Sequence, residues 1–269
     1  MADVEKIGRV LVIAGSDSGG GAGIQADIKA ITALGAYAAT AITAVTAQNT
    51  LGVHSVHPVP AAMIEAQIRV VLDDIGADAI KIGMLGDAAT VTLVARLLEE
   101  WPGIPVVLDP VMTAKGGQAL LEQSATQTLK SLLIPRAALL TPNATEAEML
   151  TGLSIETSDD LRRAGEALLA MGAAAVLMKG GHIAGDRVTD VLMTPAGETT
   201  FEGPRIDSRH THGTGCTLAS ACAAGIAQGI GMDRAIARAW AYTAEAIRHA
   251  PGFGAGAGPL DHAWPMRKP

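Results

Sequence analysis

The chain has 269 residues, enough for one large α/β domain or two small ones. Hydrophobic residues make up 49% and aromatics only 3%, so the core must be built from Ala, Val, Ile, Leu and Met. A net charge of −7 with no cluster of Lys and Arg excludes a nucleic-acid or anionic-membrane surface.

Residues 9–14 (RVLVIA) are a short apolar run with no alternation, which predicts a strand buried on both faces. Residues 15–23 form a glycine loop, and 24–34 have helical spacing that ends at Gly35. Residues 37–45 read as a second strand, 61–74 as an amphipathic helix and 79–82 as a short strand ending at Gly83. A helix over 88–100 stops at Trp101-Pro102, and a strand over 105–108 delivers Asp109. A helix over 124–133 stops before Pro135, and a strand over 137–140 delivers Thr141-Pro142-Asn143. Residues 146–150 read as a short helix and 158–171 as a longer one. Residues 174–178 then form a strand that delivers Lys179-Gly180-Gly181. Residues 188–193 and 199–202 pair as a hairpin around Pro195-Ala196-Gly197. Two helices, 217–228 and 233–248, precede a glycine-rich tail.

Strand and helix alternate at βαβ spacing, with no linker or internal repeat. The expectation is an α/β fold: residues 1–269 as a single domain with a doubly wound, mostly parallel sheet and helices on both faces. Residues 30–64 carry no charged side chain, yet they hold Gly35, Gly52, Gln48, Asn49 and five threonines. Buried α/β elements fit that segment better than a membrane span. The first nine residues carry charges of both signs and no apolar core, unlike a signal peptide. Cys216 and Cys222 lie six apart on one predicted helix, suited to neither a local disulfide nor a zinc pair. This is reduced-compartment usage, so a cytoplasmic location is expected.

The most informative stretch is His212-Gly213-Thr214-Gly215-Cys216-Thr217. Two glycines bracket a threonine before an uncharged, Ala-rich helical run. Such a turn leaves backbone N–H groups unpaired at the positive end of a helix, a ready anion site. The same field is expected to favour the Cys216 thiolate. An anion cradle with a base inside it suggests phosphoryl transfer.

Other polar residues also follow predicted strands. In an open parallel sheet, that placement brings residues distant in sequence into one crevice. The Gly15–Gly23 loop matches a dinucleotide fingerprint loosely, but no Asp or Glu ends the second strand, which argues against a nicotinamide site. No Gly-x-x-x-x-Gly-Lys-Ser/Thr occurs, so ATP phosphates would be held by other means than a P-loop. Asp109 could hold magnesium, or serve as a turn aspartate before Pro110. Asn143 and Glu146, three apart, suit either a hydrated Mg²⁺ or a capping box. Lys179 could neutralise a phosphoryl group in transit, or stand solvated beyond its strand.

Together these motifs resemble the ribokinase-like superfamily, and within it the hydroxymethylpyrimidine/phosphomethylpyrimidine kinases of thiamine biosynthesis. The matching segments are AGSDSGGGAGIQADIKA, AVTAQNT, KIGML, DPVM-x-AK, TPNATEAEML, VLMKGGH and HGTGCTLASA. The resemblance implies ATP-dependent phosphorylation of an aminopyrimidine alcohol and then of its monophosphate. Asp27 and Gln48 would contact the aminopyrimidine, with Met84 and Val111 packed on its ring and Gly15 in the substrate loop. Gly213, Thr214 and Gly215 would form the anion hole, Cys216 would stand where most of the superfamily's sugar kinases have an aspartate base, and Lys179 would assist transfer. Asp109, Asn143 and Glu146 would serve metal and phosphate. The resemblance also implies ATP and Mg²⁺, allows a monovalent cation, and suggests a homodimer whose apolar interface residues 30–64 could supply. A pyridoxal kinase of the same fold and a non-catalytic nucleotide or vitamin binder are the alternatives. The tail departs from the family by carrying glycines where many relatives have histidines, and His210-Thr211 replaces a common Asn-Thr, so His210 is given no role.

Overall fold

The computed structural model describes residues 6–113 and 120–267. The Ala114-Lys115 end of the Asp109 motif lies outside the described residues. Nine strands form one sheet: β1 (Arg9–Asp17), β2 (Tyr37–Asn49), β3 (Gly52–Pro58), β4 (Ala79–Ile82), β5 (Val106–Leu108), β6 (Ala137–Leu140), β7 (Val176–Met178), β8 (Arg187–Thr194) and β9 (Gly197–Pro204). Their order is β3-β2-β1-β4-β5-β6-β7-β8-β9. From β2 to β7 the neighbours run parallel; β3, β8 and β9 add antiparallel edges.

The helices are α1 (Gly23–Ala33), α2 (Ala61–Asp74), α3 (Ala88–Leu98), α4 (Gln123–Leu132), α5 (Ala144–Thr151), α6 (Ser158–Ala170), α7 (Thr214–Ala227) and α8 (Met232–Arg248). One apolar cluster joins the sheet to α2–α6, and a second joins its other face to α1, α7 and α8. β1 and β4 alternate strictly: Leu11, Ile13, Ile80 and Ile82 point into the first cluster, Val10, Val12 and Ala79 into the second. The inner strands are buried on both sides, as their unbroken apolar runs require. The expected doubly wound α/β architecture is therefore present, with small side chains such as Ala219, Ala221, Ala223 and Ala224 letting α7 lie close on the sheet.

Two departures shape the site. The second strand runs on to Asn49 and turns back as β3, which the sequence reading left out. β3 is largely exposed and rich in polar residues (His54, Ser55, His57), so no apolar run marks it. Residues 30–64 are accordingly not buried throughout: Tyr37, Val45, Leu51 and Val56 are exposed on this hairpin. The helix expected from 217 begins at Thr214, with Gly213 as its N-cap, so the anion motif is the first turn itself. No helix among the described residues is long and apolar enough to cross a membrane.

The chain closes by anchoring residues 261–262 against α7 and α8. Asp261 N–H donates to the Ala246 carbonyl at 3.0 Å, Tyr242 O–H to the His262 carbonyl at 2.8 Å, and Thr217 Oγ1 meets His262 Nε2 at 2.9 Å. Burial, with Lys29 nearby, pushes the His262 ring from 6.5 down to about 4. Between those values the unfolded chain binds a proton that the fold refuses. Stability should therefore fall as pH drops from about 6.5 to about 4, by about 3 kcal/mol across the window. Urea unfolding at pH 7 and pH 5 checks this, and His262→Gln should flatten the dependence.

Candidate active site

The strand order reverses direction at β1, whose neighbours β2 and β4 lead to opposite edges. Ligand crevices form outside the carboxyl ends of strands at such a switch point. Here a cavity of about 1060 Å³ opens there, lined from the ends of β1, β2, β4, β5 and β7 and by the first turn of α7. Every site residue expected from the sequence lines it except Asp27.

Gly213 enters α7 in the left-handed conformation, φ +79°, with no side-chain cap. A Cβ there would overlap the Gly21 carbonyl oxygen, so the anion turn and the Gly15–Gly23 loop pack backbone to backbone. Thr214 is held by its hydroxyl on the Thr211 carbonyl at 2.8 Å. The first intrahelical bond is Thr217 N–H to Gly213 C=O, at 2.9 Å. The Gly215 and Cys216 amides have no acceptor among the described residues, and both residues line the cavity. Uncapped first-turn amides are the donors an anion needs.

Lys179 faces this turn. A Cβ on Gly215 would lie 3.1 Å from Lys179 Nζ and 3.9 Å from either Asp109 oxygen, so glycine is what lets the turn approach the charged cluster. The ammonium donates to Asp109 Oδ1 at 3.1 Å and lies 3.9 Å from Glu146 Oε2. Burial opposes charge on Lys179, yet Asp109 and Glu146 outweigh it and hold the group well above the usual lysine range. Burial pushes Glu146 up to about 7, against the pull of Lys179. Lys179 is thus a buried, partnered cation and not a solvated one. Asn143 and Glu146 do close a capping box on α5: Asn143 N–H donates to Glu146 Oε2 at 2.8 Å and Glu146 N–H to Asn143 Oδ1 at 2.9 Å. Asp109 Oδ2 and Glu146 Oε1 keep no donor among the described residues, and no cluster of three or more His, Cys, Asp or Glu that could hold a metal occurs there. Two hard oxygens beside an anion turn suit a hydrated Mg²⁺ shared with phosphates, not a protein-caged ion.

At the other end, Met84 and Val111 line the cavity, and a Cβ on Gly15 would sit 3.1 Å from Met84 Sδ. Gln48 Nε2 lies 3.1 Å from His212 Nε2, which is itself 3.1 Å from Asp17 Oδ2. Asp17 also accepts from the amides of Gly19 (2.8 Å), Gly21 (3.1 Å) and Ala22 (2.8 Å). Burial alone would raise its carboxyl, but His212 and the Ala22 and Gly19 amides bring it below the usual range. Asp17 and His212 therefore tie the glycine loop, the β2 end and the anion turn together. The sequence reading assigned neither a role. An aspartate set among glycines, with many amides to satisfy, was the available signal.

Asp27 stands apart from the other expected residues. It is fully buried behind the cavity, where Lys81 Nζ donates to its two oxygens at 3.0 and 3.1 Å and Ser220 O–H at 2.6 Å. These bonds turn the carboxylate toward Lys81 and Ser220. Lys81, also fully buried but on the cavity wall, was missed; a lysine in the apolar run Ala79-Ile80-Lys81-Ile82 was its mark.

Cys216 is half-buried in the first turn of α7, and the Gly23 amide at the start of α1 favours its ionised form. The expected thiolate is nonetheless not the resting form. Burial pushes the thiol up to about 12, with Asp27 and Asp109 adding to the rise, against Lys81 and the Gly23 amide. Desolvation outweighs the helix field here.

The sequence profile described as phosphomethylpyrimidine kinase matches residues 17–261. A hydroxymethylpyrimidine/phosphomethylpyrimidine kinase of Streptomyces coelicolor is 48% identical over 257 residues, covering 96% of this chain and 95% of that protein. The ADP complex of Bacillus subtilis pyridoxal kinase superposes with a TM-score of 0.90 at 35% identity, covering 96% of this chain and 98% of that one. A phosphomethylpyrimidine kinase from Clostridium difficile superposes with a TM-score of 0.80 at 40% identity, covering 90% and 100% respectively. With a ribokinase-like sheet, an uncapped anion turn and a match along nearly its whole length, this chain belongs to the phosphomethylpyrimidine kinase family.

Proposed function

We propose that the protein transfers the γ-phosphoryl group of ATP to the primary hydroxyl of 4-amino-5-hydroxymethyl-2-methylpyrimidine, and then phosphorylates the monophosphate to the diphosphate, in thiamine biosynthesis. The observation that supports this reading is a single cavity lined both by Gln48, Met84, Val111 and Gly15 and by Gly213, Thr214, Gly215, Cys216 and Lys179.

In the reaction the substrate oxygen bonds to the γ-phosphorus as the bond to the β,γ-bridging oxygen breaks, ADP leaving with the electron pair. The transition state is loose, with charge on the equatorial oxygens. In this reading the Gly215 and Cys216 amides and the Lys179 ammonium would meet that charge, the kind of electrostatic contribution that is usually largest in such a step. Cys216 takes the hydroxyl proton when its sulfur is ionised. Asp109 and Glu146 would hold magnesium through water beside Asn143, and the ion, when bound, supplies charge that offsets the phosphate oxygens. Exposed Tyr37, Val45, Leu51 and Val56 support a homodimer through the β2–β3 hairpin, and the two free cysteines fit a cytoplasmic setting.

Phosphorus NMR of ATP, magnesium and the pyrimidine alcohol with the enzyme tests the reading. A monophosphate signal followed by a diphosphate signal is expected. A parallel arm with pyridoxal is included because pyridoxal kinase shares the fold at high structural similarity. Faster turnover of pyridoxal, or no pyrimidine-dependent ADP, would displace the proposal. Repeating the arms with and without K⁺ decides the monovalent cation.

A further inference from the structure

Lys81 and Asp27 form an ion pair with no solvent exposure at either side chain, and the reaction as described makes no use of it. Buried pairs of this kind are a weak source of stability, since desolving two charges offsets their attraction. Its position is more informative than its strength. Lys81 lies in β4, Asp27 in α1 and Ser220 in α7, so the cluster joins three elements at the foot of the cavity. Ser220 is four residues after Cys216 on α7, and residues at that spacing share one helix face. The Ser220 hydroxyl bonds to Asp27 Oδ1 at 2.6 Å, which places the pair one helical turn below the Cys216 sulfur. Gly83 leaves room for the ammonium: a Cβ there would stand 2.9 Å from Lys81 Nζ. Both hydrogen bonds of the ammonium go to Asp27. An ammonium has three donors, so these two bonds do not exhaust it, and Lys81 and Cys216 both line the cavity.

We propose that Lys81 is a positioning residue that presents a positive charge to the Cys216 sulfur, with Asp27 holding and partly neutralising that charge instead of binding the pyrimidine. The inference rests on the reading of Cys216 as the proton acceptor. The thiol gives its proton to solvent through the open cavity. The thiolate, facing Lys81 and the Gly23 amide, then takes the hydroxyl proton as the new P–O bond forms. The charged groups around that sulfur are Lys81 from β4, Asp27 from α1, Asp109 after β5 and Lys179 after β7. Of these, Lys81 is the largest influence favouring the thiolate and Asp27 the largest charge opposing it. Lys179 is bonded to Asp109 and near Glu146, so Lys81 is the cation whose single partner can be removed without touching the phosphate end.

The test is the pH dependence of Cys216 alkylation by iodoacetamide in the ligand-free enzyme, in a Cys222→Ala background. Asp27→Asn frees the ammonium and should move the profile to lower pH by about one unit, giving about tenfold faster alkylation at a fixed pH below the midpoint. Asp27→Asn with Lys81→Met removes both charges together, avoiding an unpaired buried carboxylate, and should return the profile to at least the parent position. Coincident profiles for parent, single and double variants overturn the proposal. So does an Asp27→Asn enzyme with a raised KM for the pyrimidine alcohol and an unmoved alkylation profile, the signature of a direct ligand. If Cys216→Ala proves fully active while the profiles still shift, the electrostatic role of the pair stands and the reading of Cys216 as base falls, so the two failures are distinguishable.

Discussion

Gly213→Ala is expected to lower kcat/KM by about 10³-fold or more while leaving most of the helical circular dichroism intact. The residue sits at φ +79°, where an L side chain costs about 1–2 kcal/mol. Strain is the smaller part. The new Cβ would overlap the Gly21 carbonyl oxygen and lie 2.8 Å from its carbon and 3.1 Å from Ala22 Cα, all backbone atoms that cannot rotate away. The two loops must separate. Gly21 and Ala22 supply two of the amides that hold Asp17, and Asp17 holds His212 one residue before the anion turn. Movement therefore reaches the Gly215 and Cys216 amides. Removing one oxyanion donor elsewhere costs about 10²–10³-fold, and here two are mis-aimed together. Gly229→Ala is the matched control: it has the same φ of +79°, meets nothing within 4 Å, and lies off the cavity wall. It should cost about 1 kcal/mol in urea unfolding and leave kcat unchanged. Equal kinetic losses in the two variants would show that backbone strain, not loop contact, governs Gly213.

The contrast between those two glycines also marks how far the sequence can be read. The strands are legible because burial on both faces leaves apolar runs, and a polar residue just past each run marks the crevice. That places Asp109, Asn143 and Lys179 together without any contact information. Gly213 is legible as a turn glycine, but its need for the Gly21 carbonyl is not, because that contact joins segments about 190 residues apart. β3 is hidden for the opposite reason: an exposed edge strand needs no apolar pattern. Asp27 takes its expected role from resemblance alone, and its pairing with Lys81 is hidden in the sequence because that partner comes from a different strand. The charge state of Cys216 is read in the wrong direction for a similar reason. A helix N-terminus is visible in sequence, but the desolvation that outweighs it is a property of the assembled cavity.

That protonated resting thiol leads to a ranking of the charged groups: Lys179→Met should reduce kcat more than Cys216→Ala, by about 10³-fold against about 10²-fold. In a loose transition state little bonding to the attacking oxygen has developed, so its proton is not yet acidic and a base gains little. Charge has already spread over the transferring oxygens, and a cation beside them acts in full. Lys179 is the cation closest to the anion turn, 3.1 Å from where a Gly215 Cβ would stand, and a buried ammonium loses little of its field to water. Its loss also leaves Asp109 and Glu146 buried without their shared counter-charge, which should lower stability by about 3 kcal/mol. Kinetics are therefore read at a temperature where circular dichroism shows the variant folded, and kcat is separated from KM for ATP. A fall in kcat with KM for ATP nearly unchanged places the lysine's action in the transition state. Cys216→Ala should leave stability almost unaltered, since alanine suits the first turn of α7. If the order is reversed, with the cysteine variant the more damaged, proton removal leads the step. The thiolate population set by Lys81 and Asp27 would then control the rate.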